Sequence, residues 1–100
     1  MNQVGEELVL ARDEAGSRYT ATLGQSVVGL IDYRERGDAV VFLHTQTDPK
    51  HQGHGYAGRL TAYALEDLRE RGLSVVPLCS YTQQFLIAHP EYADLLGPGD

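Results

Sequence analysis

Two periodicities divide this chain. Up to Thr47 apolar residues come in short runs separated by turn formers, the pattern of strands. Glu7 to Arg12 and Arg18 to Leu23 read as strands joined by a turn at Asp13 to Gly16. Gly24-Gln25-Ser26 separates the second from Val27 to Arg34, and Arg36-Gly37-Asp38 separates that from Ala39-Val40-Val41-Phe42-Leu43. This last run is continuous and rich in β-branched and aromatic side chains, so it predicts a strand covered on both faces, running on to about Thr47. Turns this close together leave no room for crossover helices, so the first half is an antiparallel meander. From Tyr56 to Arg71 the period changes: Ala57, Leu60, Ala64, Leu65 and Leu68 recur at three- and four-residue steps, while Arg59, Glu66, Arg69 and Glu70 fall largely on the other side. That is an amphipathic helix, and Gly72 is its stop signal.

Beyond the helix, Ser74 to Cys79 reads as a strand parallel to Ala39–Thr47, because a strand–helix–strand unit normally returns that way. Pro77 cannot donate to a ladder, so this strand should pair incompletely or end early. Thr82 to Ala88 predicts a short helix with Thr82 as candidate N-cap, His89-Pro90-Glu91-Tyr92 a break, and Tyr92 to Leu96 a last turn. The expected fold is a mixed α/β (α+β) sheet.

Between the central strand and the helix lies Asp48-Pro49-Lys50-His51-Gln52-Gly53-His54-Gly55. The first turn of a helix has N–H groups without partners and a partial positive charge, and glycines let an anion come close. Gln52 to Ala57 is therefore a candidate diphosphate site; a tight turn into a helix would use the same glycines. Gly53-His54-Gly55-Tyr56-Ala57-Gly58 also matches G-x-G-x-x-G. A dinucleotide site does not follow, because a meander precedes the motif and Leu78-Cys79-Ser80 offers no acid for a ribose.

At 100 residues the chain is expected to form one domain, spanning 1–100, with a modest core. Its net charge of −6 argues against nonspecific nucleic-acid binding and agrees with a cationic or amine-bearing partner. No apolar stretch approaches the roughly 20 residues of a membrane span, and Met1 to Glu7 is no signal peptide. A lone Cys79 excludes an internal disulfide and fits a reducing cytosol, so a cytoplasmic location is expected. The spacing of His51, His54, Cys79 and His89 lacks the two close ligand pairs of structural zinc sites, and no metal is expected.

Gln52-Gly53-His54-Gly55-Tyr56-Ala57 resembles the Q/R-x-x-G-x-G/A signature of the GNAT N-acetyltransferase superfamily. With His44-Thr45-Gln46-Thr47, Gly72, Pro77-Leu78-Cys79-Ser80-Tyr81 and His89-Pro90-Glu91-Tyr92, the chain from about Tyr19 to Leu96 is similar to very small, single-domain GNAT-like acetyltransferases. The resemblance implies acetyl-coenzyme A as co-substrate and an amine as acceptor. It implies that amides from Gln52, Gly53, His54, Gly55, Tyr56 and Ala57 hold the pyrophosphate. The pantetheine arm would lie where the two parallel strands splay apart, bonded to the backbone of His44, Thr45, Gln46 and Thr47.

Acetyl transfer needs a deprotonated amine, a donor for the developing oxyanion and sometimes a nucleophile. Cys79 closes the second strand of the implied cleft; as a thiolate it could take the acetyl group first, and otherwise it is a small buried hydrophobe. His44 is a general base or a sheet hydrogen-bonding residue. In larger GNAT enzymes a tyrosine on the last helix protonates the leaving thiolate. Phe85 or a neighbour stands there without a hydroxyl, which leaves Tyr81 or Cys79 as substitutes beside the thioester. Thr47 departs from the aliphatic residue common in the small family. The helices that form the acceptor pocket in larger members are missing, so an open acceptor side suits a protein or peptide amine. The same openness fits a coenzyme A-binding module without turnover.

Overall fold

A computed structural model describes residues 7–97. Five strands, β1 (Leu8–Asp13), β2 (Arg18–Leu23), β3 (Ser26–Arg36), β4 (Ala39–Thr47) and β5 (Ser74–Pro77), form one sheet in the order β1-β2-β3-β4-β5. The first four pair antiparallel and β5 runs parallel to β4, the mixed α/β architecture expected. The helix α1 (Tyr56–Arg71) makes the crossover, and α2 (Ser80–Ala88) leads into a 3₁₀ segment, Pro90–Leu95. Among the described residues no helix is long and apolar enough to cross a membrane.

Register explains which residues enter the core. Tyr19 pairs with Ile31 and Ile31 with Thr45, while Tyr33 pairs with Phe42, so these side chains share one face. On that face Tyr19, Ile31, Tyr33, Val40, Phe42 and Val75 join Leu60, Ala64, Leu65 and Leu68 of α1 in one buried cluster. Phe85 and Leu86 of α2 and Tyr92 and Leu95 beyond it complete the cluster. Arg18, Asp32 and His44 pair across the strands on the opposite face.

Two details of β4 matter for function. Its register with β3 slips between Asp32 and Tyr33, so Leu43 is an extra residue that bends the strand. Its ladder with β5 ends at Phe42↔Pro77. Pro77 has no N–H to continue it, and the next two amides, Leu78 and Cys79, both donate to the Phe42 carbonyl, at 3.1 and 3.2 Å. The early end foreseen for this strand is what the structure shows. Beyond Phe42, among the described residues, no strand lies beside the β5-side edge of β4.

Some boundaries need correction. The helix expected from Thr82 starts at Ser80, with Cys79 as its N-cap and Gln83 N–H bonded to the Cys79 carbonyl at 3.1 Å. Starting there places Thr82, Phe85 and Leu86 on one inward face, so Thr82 is buried rather than capping. The break at His89–Tyr92 is instead the beginning of the 3₁₀ segment, with Pro90 in its first turn. Strand β5 ends at Pro77, two residues short of Cys79, and β3 runs two residues past Arg34 before the turn at Gly37.

Candidate active site at the parted strands

The head of α1 is built from glycines. Gly55 is its N-cap in the left-handed conformation, φ 77°, and Gly53 lies at φ 88°. Such angles cost a side-chain-bearing residue energy that glycine does not pay. No side chain caps this end and no acidic residue lies in the first turn. The first intrahelical bond is Arg59 N–H to the Gly55 carbonyl, 3.1 Å, so the amides of Tyr56, Ala57 and Gly58 have no backbone partner within the helix. A Cβ placed on Gly53 or Gly55 would meet nothing within 4 Å. The space in front of the helix is open, as a bound anion requires.

The approach to it is shaped by Asp48, whose carboxylate accepts the Lys50 N–H at 3.0 Å and is held below its usual pKa chiefly by that bond. The Asp48 turn ties the 3₁₀ segment Pro49–His51 to the end of β4, and the Asp48 N–H bonds the Val28 carbonyl at 2.8 Å. Three rings gather beside the glycines: His54 stacks on Tyr56 with centroids 5.4 Å apart, and His51 lies 6.2 Å from Tyr56.

A cavity of about 360 Å³ connects these parts. Thr45 and Thr47 line it from β4, Gln52, Gly53 and Gly55 from the loop, Tyr56 and Ala57 from α1, and Tyr81 from α2. Eight of the residues expected from the sequence therefore meet around one hollow. The others are placed differently. His44 and Gln46 alternate with Thr45 and Thr47 and carry their side chains on the opposite sheet face. His54 belongs to the ring cluster without lining the cavity. Phe85 is buried behind it, stacked on His89 at 4.1 Å, and borders a neighbouring hollow of about 430 Å³ with Arg59 and Tyr92. A larger hollow of about 660 Å³ lies elsewhere, around Arg12, Tyr33 and Arg34, and no helix contributes to its wall. Size alone does not make a site.

Cys79 stands just behind Thr45. Its Sγ–H donates to Thr45 Oγ1 at 3.4 Å, across the gap between β4 and the head of α2. Burial pushes the thiol up, but the Thr45 hydroxyl, the Thr82 and Tyr81 amides and the Thr82 hydroxyl outweigh it, and the net shift is downward. As a thiol the sulfur closes no capping bond to the helix; the donors favour its ionised form. Burial also pushes the Tyr81 phenol up, so it keeps its proton at neutral pH.

Residues 18–95 match the family of GCN5-related N-acetyl-transferases. The chain belongs to the GNAT family. No protein of curated function matches it. The fold is also similar to the solution structure of a Staphylococcus aureus protein described as GCN5-like. The two share 21% identity, a TM-score of 0.67, and coverage of 93% of this chain and 91% of that one. At that identity the likeness concerns the fold alone.

Within this GNAT chain the residues present fit a diphosphate followed by an amide-bearing arm. Uncapped amides and side-chain-free glycines face one end of the cavity, and the unladdered edge of β4 runs along its side. Sequence reasoning missed two contributors. Gly58 lies where α1 meets α2: a Cβ there would be in ordinary contact, 3.6 Å from Tyr81 Oη and 3.9 Å from the Phe85 ring. Its place at the end of the G-x-G-x-x-G string gives no sign of that contact. Thr82 reads as a cap in the sequence, because nothing in a short apolar segment marks where the helix starts.

Proposed function

We propose that this chain is an acetyl-CoA-dependent N-acetyltransferase, acting in the cytoplasm as one domain, with a protein or peptide amine as acceptor. The observation that carries the reading is the uncapped, glycine-headed start of α1 beside the unpaired edge of β4, opening on one cavity. Gln52 to Ala57 would hold the diphosphate and the backbone of His44 to Thr47 the pantetheine amides. That arrangement delivers the thioester toward the level of Phe42, where Cys79 is anchored.

In this reading Cys79 attacks as a thiolate. Its sulfur forms a bond to the acetyl carbon, the bond from that carbon to the coenzyme sulfur breaks, and the departing sulfur takes a proton from the Tyr81 phenol or from water. The acceptor amine then attacks the acetyl-Cys79 carbonyl; an N–C bond forms, the Cys79 S–C bond breaks with its electron pair left on sulfur, and the amine gives its proton back to the Tyr81 oxygen or to water. His44, exposed on the opposite face, is a base for an acceptor arriving from that side rather than a partner of Cys79. The aromatic core under α1 keeps the sheet rigid while the acceptor side stays open to a large substrate.

Intact mass after incubation with acetyl-CoA tests this. One acetyl group on the wild type and none on Cys79→Ala, with amine-dependent release of free coenzyme A, is the expected result. Binding by calorimetry with neither adduct nor amine-dependent release would mean a coenzyme A-binding module without turnover, and no binding would remove both readings. A Cys79→Ala protein that acetylates amines at the wild-type rate would retain the transferase and discard the covalent step.

A further inference from the structure

Thr61 and Thr82 are the two buried polar residues among those described, each 0% exposed. Thr61, inside α1, hands its hydroxyl to the Ala57 carbonyl four residues back at 2.7 Å. Thr82 has no such outlet. Four residues back is Leu78, outside the helix, and the hydroxyl makes no bond to the Cys79 carbonyl three back. Its Oγ1 is buried with no hydrogen-bond partner. A buried hydroxyl left unsatisfied is costly, and where one persists it calls for a reason.

The reason lies three residues away. Cys79 is the N-cap of the same helix and Thr82 is its third residue, the position toward which an N-cap side chain turns, while Thr45 reaches the same sulfur from β4 at 3.4 Å. We infer that Thr45 and Thr82 form a hydroxyl cradle whose task is to hold the Cys79 sulfur as a thiolate, so that the nucleophile needs no histidine partner. This rests on the proposed role of Cys79. On ionisation the S–H bond breaks, its electron pair stays on sulfur and the proton passes to water through the open cavity. Thr45 then turns from acceptor to donor, and Thr82 gains the partner it lacks.

The surrounding groups agree with a cradle of neutral donors. From β4 the sulfur is faced by Thr45, with His44 on the other side of the strand; β5 (Ser74-Val75-Val76-Pro77) carries no titratable side chain. From α2 comes Tyr81, which stays protonated. His51 and Tyr56 border the cavity on which Thr45 opens, Arg59 faces the neighbouring hollow, and His89 stacks on Phe85 at the far end of α2. The donors named for the sulfur are two hydroxyls and two helix-end amides, which together lower its pKa against the opposing effect of burial.

The test is the pH profile of iodoacetamide alkylation, which reads Cys79 without ambiguity because it is the only cysteine. The wild type should alkylate with a midpoint below the roughly 8.5 of a free cysteine. Thr82→Val keeps the shape and removes the unsatisfied hydroxyl, so the fold should hold. Its midpoint should rise by about half to one unit, slowing alkylation at pH 7 about three- to tenfold, and Thr82→Ser should restore the wild-type curve. Thr45→Val should shift the curve in the same direction from the strand side. Wild-type profiles for Thr82→Val and Thr45→Val, both folded by circular dichroism, would overturn the cradle. Alkylation requires no acetyl-CoA, so the two ideas fail separately. An unshifted profile leaves acetyl transfer standing, and a shifted profile with no acetyl adduct leaves the cradle without the enzyme.

Discussion

The two ends of α1 begin and finish on glycines of the same conformation, and the molecule treats them in opposite ways. At the tail, Gly72 at φ 71° gives its N–H to the Arg69 and Leu68 carbonyls, and Leu73 N–H also bonds Leu68, at 2.9 Å. Arg69 and Arg71 stand in the last turn, where cations suit the dipole. Around them runs a polar staple: the Tyr19 hydroxyl donates to Asp67 Oδ2 at 2.7 Å, Arg71 Nε reaches the same oxygen at 3.0 Å, and Arg12 lies 3.4 Å away. Nearby, Arg69 makes paired bonds to Asp94, at 2.7 and 3.2 Å. At the head, Gly55 at φ 77° has no capping side chain, no acid and open space before it. One end is fully occupied by the protein's own groups; the other is left wanting an anion. Stability is concentrated where donors are matched, and ligand capacity where they are not.

Matched substitutions should separate the ends. Gly55→Glu and Gly72→Glu each force a side chain into the left-handed region, at about 1–2 kcal/mol apiece. Urea denaturation should show similar losses for both. Calorimetry with acetyl-CoA should not: Gly55→Glu puts a carboxylate before the uncapped amides and should weaken binding at least about a hundredfold, or about 2.8 kcal/mol, while Gly72→Glu leaves it unchanged. Equal effects on affinity at the two ends would break the contrast.

Asp67→Ala attacks the satisfied end. It strips the shared acceptor from Tyr19 and Arg71 and should cost about 2 kcal/mol, lowering the melting temperature by about 10 °C in a chain of this size, with acetyl-CoA affinity kept. The same staple sets an alkaline limit. Burial, then the hydrogen bond to Asp67, push the Tyr19 phenol far above the ordinary tyrosine range. A raised pKa in the folded state means stability that is whole below the unfolded value and lost as pH rises above it. Urea midpoints should therefore fall above pH about 10, and Tyr19→Phe should flatten that decline. The smallest effect is expected at Gly58→Ala. The new methyl makes only ordinary contacts with Tyr81 and Phe85, and the better helix former should add about 0.5–1 kcal/mol of stability.

Much of this was legible in the sequence because the signals are local. Alternation and turn glycines set the meander, the three-and-four spacing of Leu60, Ala64, Leu65 and Leu68 set α1, and Pro77 marked where the parallel pair must stop. Of the eight cavity-lining residues, Gln52, Gly53, Gly55, Tyr56 and Ala57 stand out through the glycine loop itself, whereas Thr45, Thr47 and Tyr81 enter only through the resemblance to the GNAT superfamily. What escaped depends on pairing across the sheet or on a helix boundary. The extra residue at Leu43 fixes which of His44 and Thr45 turns toward Cys79, and no property of either residue announces it. Phe85 has the same hydrophobic character whether it lines a cavity or packs behind one. The two-residue difference at the head of α2 hides the place of Thr82 in the first turn behind Cys79, since Ser80, Thr82 and even Cys79 are all plausible first residues.

The claim on which the account depends is that the open head of α1 and the free edge of β4 together hold acetyl-CoA. Titrating acetyl-CoA into ¹⁵N-labelled protein tests it residue by residue. The account predicts that the largest amide shifts fall on Gly53 to Gly58 and on His44 to Thr47, with Arg69 to Leu73 at the other end of the helix almost still. Shifts centred on the hollow around Arg12 and Arg34, or none at saturating ligand, would contradict it.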